Sequence, residues 1–238
     1  MDQFSREMDM IICFDEFMAR QYIPKRGNML DVGSCYGMWI DFMLEKADKI
    51  YAFEPDRRLF YKLAKKYNNE FKVKLFNIGI SDVCGSTAFE FHEEGNSKLG
   101  NSEIHGKPDE IITITIDSVF ENIPLSCIKI DIEGREMWAL NGGLKTILKC
   151  TPILIIEAHD NRQEIKDFFD KYHYKIVFSH GRSRFPQTDN VLMVAVHESK
   201  MNDNNVDIEM KNPFKRYSGK IALGILEGKG ENNENITD

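Results

Sequence analysis

The sequence has no long hydrophobic run and few cysteines, and each shortage argues against a class of protein. No apolar stretch approaches the roughly 20 residues that a membrane-spanning helix requires. The longest apolar stretch near the start, residues 10–14, is too short for a signal peptide. The five cysteines form no Cys-x-x-Cys pair and show no metal-type spacing, so neither a disulfide framework nor a zinc site is predicted. We expect a cytoplasmic protein with reduced thiols.

Positive charge is also in short supply. The 238 residues include 38 acidic and 31 basic side chains, which gives a formal net charge of −7. This balance argues against a surface built for the phosphate backbone of nucleic acids, and we expect no nucleic-acid partner. With 42% hydrophobic residues, the chain is long enough for one α/β domain with appendages.

The hydrophobic pattern divides the chain into three parts. Residues 1–27 are predicted to be a helical segment, because apolar side chains recur on one helical face over residues 4–22. Residues 28–197 alternate between strand-like and helix-like runs. Residues 198–238 are rich in Asn, Lys and Glu, a composition that is typical of a flexible polar tail.

The alternation in the middle part predicts a parallel sheet with helices on both faces. The predicted elements are strands at 28–33, 49–54, 72–78, 127–132 and 153–158, helices at 38–46, 56–67, 136–148 and 163–172, and a final strand pair at 175–179 and 191–196. An insertion at 86–116 adds two strand-like runs, 86–92 and 111–116. The polar segment between them, 93–110, is either a lid over a binding site or a hairpin tip without function.

The stretch from Asn28 to Gly37 is the most informative part of the chain. An apolar strand reaches Asp31 and continues into a loop with the pattern Asp31-x-Gly33-x-x-x-Gly37. The Gly-x-Gly-x-x-Gly spacing that seats a dinucleotide pyrophosphate is missing. We expect backbone N–H groups of this loop, which includes Ser34, to lie beside a small ligand. An acid here suits the cationic amino-acid end of S-adenosylmethionine better than NAD, and the alternative is a tight turn with an incidental acid.

A second acid follows the next strand. Residues 50–53 are apolar and lead directly to Glu54. An acid at this position accepts both hydroxyls of a ribose in dinucleotide-binding folds. Together with Asp31, it predicts an adenosine-bearing cofactor.

Charged side chains also follow two later strands. Lys129, Asp131 and Glu133 alternate with isoleucines, so the charges project from one side of the strand. We expect them at the carboxyl-terminal edge of the sheet, where open α/β folds bind ligands. Glu157 and His159 repeat the two-residue spacing on the next strand. For Glu133 alone, the alternative is a cap on the following helix.

Several motifs, in this order, resemble the FkbM family of S-adenosylmethionine-dependent methyltransferases. They are Leu30-Asp-Val-Gly-Ser-x-x-Gly37, Ala52-Phe-Glu-Pro55, Asn77-Ile-Gly-Ile-Ser-Asp82, Thr115-Ile-Asp117, Lys129-Ile-Asp-Ile-Glu-Gly-Arg-Glu136 and Leu140-Asn-Gly-Gly143. The resemblance runs from about residue 28 to about residue 196. It implies a Rossmann-like class I methyltransferase fold, an α/β structure whose seven-stranded sheet has its last strand antiparallel. It also implies O-methylation of a hydroxyl on a sugar, glycolipid or secondary metabolite.

The resemblance also assigns tasks to individual residues. The implied cofactor contacts are Asp31, Gly33 and Gly37 at the methionine end, Glu54 at the ribose, and Asn77, Gly79 and Asp82 beside the adenine. Asp131 would face the transferred methyl group. One departure is the pair Cys35-Tyr36, which stands where small or polar residues are common and narrows the implied pocket.

Methyl transfer to an alcohol requires a base that accepts the hydroxyl proton. His159, or a carboxylate whose pKa is raised by burial, is the candidate base, with Asp131 and Glu133 beside it. A divalent cation held by these carboxylates and the histidine is the less favoured alternative, and no metal is predicted. Two other functions stay open: a catalytically weak cofactor-binding module that recruits a partner, and a nucleic-acid or protein methyltransferase, which the acidic charge disfavours.

Overall fold

Eleven strands form two sheets. The computed structural model describes residues 16–90, 98–99, 109–181 and 190–202. The strands are β1 (Asn28–Val32), β2 (Lys49–Phe53), β3 (Val73–Phe76), β4 (Gly79–Ile80), β5 (Gly85–Glu90), β6 (Lys98–Leu99), β7 (Asp109–Ile114), β8 (Cys127–Ile130), β9 (Ile153–Ala158), β10 (Tyr174–Gly181) and β11 (Val191–His197). The larger sheet has the order β3-β2-β1-β8-β9-β11-β10, and the smaller has the order β4-β7-β5-β6.

The larger sheet is parallel except for β11, which lies between β9 and the edge strand β10. Strands β3, β2, β1, β8 and β9 all run parallel, while β11 is antiparallel to both β9 and β10. The parallel strands are apolar along nearly their whole length because both faces of the sheet are covered. This arrangement confirms the predicted class I methyltransferase fold with an antiparallel last strand. It also gathers the carboxyl ends of β1, β2, β8 and β9 at one edge.

Six helices accompany the sheets in the described ranges. They are α1 (Met38–Leu44), α2 (Arg57–Lys66), α3 (Ile116–Phe120), α4 (Glu136–Gly142), α5 (Leu144–Cys150) and α6 (Arg162–Lys171). Helix α2 shows how the sequence sets a boundary: the Asp56 side chain caps it by accepting the Arg58 N–H at 2.8 Å. Leu59 and Leu63, four residues apart, are the buried side chains of this helix.

One predicted helix is two helices in the structure. The sequence predicts a single helix at 136–148, but α4 ends at Gly142 and α5 begins at Leu144. A side chain at position 142 would place its Cβ 2.2 Å from the Ser81 carbonyl oxygen. The break therefore lies where the helix meets the turn after β4, a contact between residues far apart in sequence.

The smaller sheet contains the insertion. Strands β5 and β7 pair antiparallel, from Gly85 opposite Thr113 to Phe89 opposite Asp109, as the two strand-like runs predict. Strand β4 pairs parallel with β7, so the predicted strand at 72–78 is shorter, and a separate strand follows it. Of the polar segment 93–110, only residues 98–99 and 109–110 are described, so the choice between lid and hairpin tip stays open.

The ends of the chain are described only in part. Residues 16–19 are helical and lead into a 3₁₀ turn at Arg20–Tyr22, within the predicted N-terminal helical segment. Residues 1–15 and the predicted tail beyond residue 202 lie outside the described residues. The division into segments 1–27, 28–197 and 198–238 stays a prediction.

None of the helices in the described ranges has both the length and the apolar character needed to span a lipid bilayer.

Candidate active site

The loop after β1, residues 33–37 and here called the glycine loop, folds back onto β2. The N–H groups of Gly33 and Ser34 both donate to the Phe53 carbonyl, at 3.0 and 3.1 Å. The Cys35 N–H donates to the Glu54 carboxylate at 2.7 Å, and the Gly37 N–H donates to the Ser34 carbonyl. All four N–H groups thus have an acceptor within the fold, and the expectation that N–H groups of this loop lie beside a ligand stays a prediction. The loop gains its shape from bonds to its own sheet.

Gly33 is the point where the glycine loop touches the turn after β8. Its φ of +78° is in the left-handed region, and a Cβ there would lie 1.9 Å from the Asp131 carbonyl oxygen. No residue with a side chain fits this contact. The sequence predicts glycine for a turn, and the structure adds that glycine lets two segments of the site meet.

Asp31 lies beneath the glycine loop. Its side chain is 0% exposed, and its Oδ1 is 3.5 Å from the Nζ of Lys129, which is also buried. Burial raises the pKa of Asp31, and the Lys129 charge opposes that rise. Asp31 has no exposed surface, and its ion-pair partner is Lys129. The expected contact with the cofactor, directly or through water, stays a prediction.

Lys129 contacts both halves of the site. Its Nζ donates to the Gly33 carbonyl at 2.9 Å and lies 3.6 Å from Oδ2 of Asp131. Burial alone lowers the pKa of Lys129, but the carboxylates of Asp31 and Asp131 outweigh this effect, and the pKa is raised. The ammonium therefore remains charged at neutral pH.

Glu54 lies at the end of β2, as the sequence predicts. Its Oε1 accepts the N–H of Asp56 at 2.9 Å, while its Oε2 accepts the Cys35 N–H. Burial raises the pKa of Glu54 to about 7. The amide of Asn77 donates to the Glu54 and Pro55 carbonyls at 2.8 and 2.9 Å. Asn77 thus fixes the segment that carries Glu54.

The structure gives less support to the predicted adenine contacts that follow Asn77. Gly79 is buried in β4. The backbone of Asp82 lies against Gly142 at the end of α4, and its carboxylate accepts the Ser81 hydroxyl. Of this predicted group, Asn77 is the residue that the structure joins to Glu54.

Five ionisable side chains, here called the acidic rim, collect beyond the carboxyl ends of β8 and β9. They are Asp131, Glu133, Glu136, Glu157 and His159. Ile130 pairs with Ile156 across the two parallel strands, so the next residues, Asp131 and Glu157, are neighbours. The side chain of Asp131 is 27% exposed, which leaves it accessible to a ligand.

Glu133 reaches the acidic rim by a strained turn. Strand β8 ends at Ile130, and Glu133 and Gly134 have φ of +56° and +94°. A left-handed conformation at a residue other than glycine is uncommon and costs roughly 1–2 kcal/mol, so surrounding contacts must hold it. The Oε2 of Glu133 lies 3.1 Å from Nε2 of His159. Helix α4 has no side-chain cap, so Glu133 does not have the alternative capping role.

His159 lies between two carboxylates. Its Nδ1 is 3.2 Å from Oε1 of Glu136, and its Nε2 faces Glu133. Burial lowers the pKa of His159, but the carboxylates of Glu133 and Glu136, which accept from the protonated ring, outweigh burial and raise the pKa to about 11. Both ring nitrogens donate only in the protonated ring. The geometry therefore favours His159 as a cation, and leaves the role of base to a carboxylate.

Glu136 is the residue of the acidic rim that sequence reasoning missed. It is fully buried and accepts from the N–H of Gly134 at 2.9 Å and from the amide of Asn161 at 2.8 Å. It also accepts the Ile132 N–H at 3.3 Å. These bonds fix the turn that carries Asp131 and Glu133. An acid in the first turn of a helix is common, so the sequence carries no distinguishing signal for this role.

Asp131 and Glu157 form a coupled pair. Burial raises the pKa of Asp131, while the Lys129 charge opposes that rise. Burial and the neighbouring Asp131 charge raise the pKa of Glu157 to about 8. Two adjacent carboxyl groups at neutral pH hold one proton more easily than none. The pair therefore shares one proton near neutral pH.

Three members of the acidic rim also meet the geometric requirement for a metal site. One ligand atom from each of Asp131, Glu133 and His159 lies within 4.8 Å of the others. A metal ligand must offer an unprotonated ring nitrogen. Both ring nitrogens of His159 lie within ion-pair distance of a carboxylate, and of the two only Nδ1 makes a hydrogen bond among the described residues. We therefore describe the cluster as an ion-paired network.

A separate cleft of about 500 Å³ lies at the opposite edge of the sheet, next to Asn28 and Ser126. Its two lysines, Lys149 and Lys200, donate to the Glu121 and Cys150 carbonyls at 2.8 and 2.7 Å. These bonds hold loops together, whereas Glu54, Glu157 and His159, whose pKa values are strongly raised, lie at the other edge. We place the candidate site at the carboxyl-terminal edge for that reason.

Solved structures with this fold include several methyltransferases. Methyltransferase FkbM from Methylobacillus flagellatus matches with a TM-score of 0.53 and 18% identity, over 71% of this chain and 44% of that one. A proposed tRNA (m1A22) methyltransferase from Streptococcus pneumoniae, Sp1610, matches with a TM-score of 0.52 and 12% identity, over 92% and 88%. An rRNA methylase from Streptococcus thermophilus gives 0.50 and 10%, over 77% and 96%. At these identities the likeness shows the fold alone.

The family is shown by sequence. No curated protein matches the chain. The model of the Methyltransferase FkbM domain matches residues 31–191, which is more than half of the chain and spans the glycine loop, Glu54 and the acidic rim. The chain spans less than half of the Methylobacillus protein, so the resemblance to that protein does not extend over its full length. The match over residues 31–191 shows that this chain belongs to the FkbM methyltransferase family.

Proposed function

We propose that this chain uses S-adenosylmethionine to methylate a hydroxyl of a sugar, glycolipid or secondary metabolite. The observation that carries the proposal is the position of Asp131. It is a partly exposed carboxylate at the carboxyl-terminal edge, next to the glycine loop and beside a proton-holding carboxyl group, Glu157. A hydroxyl bound at this edge has a base within reach.

The groups around the glycine loop fit S-adenosylmethionine by their chemistry. The described N–H groups of the loop are bonded internally, so it offers few donors to a pyrophosphate. Two acids lie around the loop: Glu54 is nearly buried and Asp131 is partly exposed. Both are hydrogen-bond acceptors, which suits a ribose diol and a positively charged ligand group. Glu54 is the residue that would hold the ribose. When bound, S-adenosylmethionine supplies a methyl group on a positively charged sulfur.

Within this proposal, Asp131 accepts the proton that the acceptor hydroxyl releases, on one of its carboxylate oxygens. Lys129 holds the other side of Asp131 by its charge. Glu157 retains its own proton near neutral pH, so it does not compete as a base below about pH 8. His159, as a cation, holds Glu133 and balances the charge of Glu136. Within the proposal, Asp131 is the member of the acidic rim that changes its protonation state during the reaction.

The acceptor class is tested by a binding and turnover screen. Calorimetry with S-adenosylhomocysteine first measures cofactor binding. Methyl transfer is then measured over methyl glycosides of common hexoses and deoxyhexoses, with total RNA and a protein extract as comparison acceptors. We expect turnover on a glycoside or related polyol and none on RNA. Binding without turnover on any acceptor would favour a cofactor-binding module, and turnover on RNA alone would replace the acceptor class.

The metal alternative has its own test in the same assay. Because His159 is ion-paired on both sides, we expect turnover to be unchanged by EDTA and by added Mg²⁺ or Mn²⁺. A loss of at least tenfold with EDTA that Mg²⁺ restores would instead assign a cation to Asp131, Glu133 and His159.

A further inference from the structure

One buried lysine joins the glycine loop to the acidic rim. Lys129 is 3% exposed and lies on β8, between β1 and β9. Its Nζ donates to the Gly33 carbonyl at 2.9 Å, and lies 3.5 Å from Asp31 and 3.6 Å from Asp131. A buried charge requires compensation, and here it comes from three separate segments.

The number of partners argues for more than charge balance. An ammonium group has three N–H donors in roughly tetrahedral directions. A lysine that only neutralised Asp31 would need one of them. Lys129 also donates to the Gly33 carbonyl on the glycine loop and forms a second ion pair, with the partly exposed Asp131. Moving the ammonium would therefore move the loop and the proposed base together.

Hydrogen bonds of Tyr67 hold the other end of the glycine loop, and they do not involve the acidic rim. The hydroxyl of Tyr67 lies 2.7 Å from the Gly37 carbonyl and 2.8 Å from Oδ1 of Asp41. Lys129 therefore holds the loop at Gly33, and Tyr67 holds it at Gly37. Of the two, Lys129 is the one that also contacts Asp131.

We propose that Lys129 is a positioning residue that sets the separation between the glycine loop and Asp131, through its hydrogen bond to Gly33 and its ion pair with Asp131. The inference rests on the proposed function, because the loop and Asp131 are the two parts that must be aligned for methyl transfer. Lys129 itself lies below both and touches neither substrate.

The test separates the hydrogen bond from the charge. Lys129→Met removes both, and Lys129→Gln keeps an amide donor for the Gly33 carbonyl but no charge for Asp131. Each is combined with Asp31→Asn, so that no buried carboxylate loses its counterion. Lys46→Met is the matched control, since Lys46 donates to the Ile23 carbonyl at 3.0 Å at the opposite edge of the sheet. Folding is followed by circular dichroism and thermal melting.

Two quantities are measured: the S-adenosylhomocysteine affinity by calorimetry, and kcat with the glycoside that gives the highest rate. We expect Asp31→Asn/Lys129→Met to lose affinity and kcat by at least about tenfold each. Asp31→Asn/Lys129→Gln should keep affinity within about threefold and lose kcat by about tenfold. Lys46→Met should match the wild type. If Lys129 served only in folding, the Gln variant would not lose kcat while keeping its affinity.

The outcomes distinguish the inference from the proposed function. If the wild type binds S-adenosylhomocysteine and the folded Met variant binds equally well, Lys129 is a counterion only and the inference is overturned. If the Met variant does not fold, unchanged kcat in the Gln variant overturns it. If the wild type does not bind S-adenosylhomocysteine, the proposed function fails and the inference fails with it.

Discussion

The glycine loop and the acidic rim are held in opposite ways, although they meet at Gly33. The loop is fixed by backbone hydrogen bonds to β2, and the acid beneath it, Asp31, has no exposed surface. The acidic rim is fixed by side-chain contacts between charged groups, and about a quarter of the Asp131 and Glu133 side chains is exposed, at 27% and 25%. Backbone hydrogen bonds do not titrate, whereas the contacts of a charged cluster change with protonation. In the loop, the bond from the Cys35 N–H to the Glu54 carboxylate is the exception.

This difference suggests that cofactor binding and proton transfer depend on different parts of the site. The contacts of the glycine loop are part of the fold, so we expect its substitutions to change stability and, under the proposed function, cofactor affinity. Residues of the acidic rim set protonation states, and changing one shifts its neighbours. Substitutions in the glycine loop should therefore alter stability and cofactor affinity, and substitutions in the acidic rim should alter the rate and its pH dependence.

The largest effect is expected at Asp131. Asp131→Asn keeps the size of the side chain but removes the base, so kcat should fall by about 10²- to 10⁴-fold. The S-adenosylhomocysteine affinity should stay within a few-fold, because Lys129 retains its contacts with Asp31 and Gly33. Steady-state kinetics and calorimetry measure the two quantities. Asp48→Asn, an exposed acid at the opposite edge, is the control. Full turnover by the Asp131 variant would assign the base elsewhere.

Stability should respond most at Gly33. Gly33→Ala combines a left-handed φ with a Cβ that would lie 1.9 Å from the Asp131 carbonyl oxygen, so we expect a loss of about 3 kcal/mol or more in the free energy of unfolding. Gly134→Ala is the matched control: its φ is +94°, but a Cβ there meets nothing within 4 Å. It should lose only about 1 kcal/mol, the cost of backbone strain. Urea unfolding measures both, and equal losses would show that strain alone acts at Gly33.

The sequence predicted much of the site because most of its rules are local. Apolar runs that end on Asp31 and Glu54 marked two strand ends, and the two-residue spacing of Asp131 and Glu133 marked a third. Adjacent parallel strands then require Glu157 and His159 to lie nearby. These predictions of placement hold without any knowledge of side-chain contacts.

The remaining features depend on contacts between distant segments. The break after Gly142 arises from the Ser81 carbonyl, which no helical periodicity signals. The central place of Glu136 depends on the left-handed turn at Glu133, which directs the Gly134 N–H toward it. The protonation of His159 follows from carboxylates on both sides of the ring. The sequence therefore identified the residue but left its role open between base and metal ligand.

The charge of His159 predicts how stability depends on pH. Its pKa is raised from an ordinary value near 6.5 to about 11 in the folded state, so its contribution is complete below pH 6.5 and is lost as pH rises toward 11. Between pH 7 and pH 9, the wild type should lose about 2 kcal/mol more than His159→Gln, at up to about 1.4 kcal/mol per pH unit. Urea unfolding across this range measures the difference. Parallel curves would show that His159 is neutral in the folded protein.

The smallest effect concerns the pH dependence of cofactor binding, because a titrating group, Glu54 after β2, lies beside the glycine loop and accepts the Cys35 N–H. Burial raises the pKa of Glu54 to about 7, and only its ionised form accepts both ribose hydroxyls. Affinity for S-adenosylhomocysteine should therefore rise by about tenfold between pH 6 and pH 8. Glu54→Gln should bind more weakly and show no such rise, which calorimetry at matched pH values tests. If the affinity of the Gln variant still depended on pH, the titrating group would be a member of the acidic rim and not Glu54. The acidic rim would then contribute to cofactor binding as well as to chemistry.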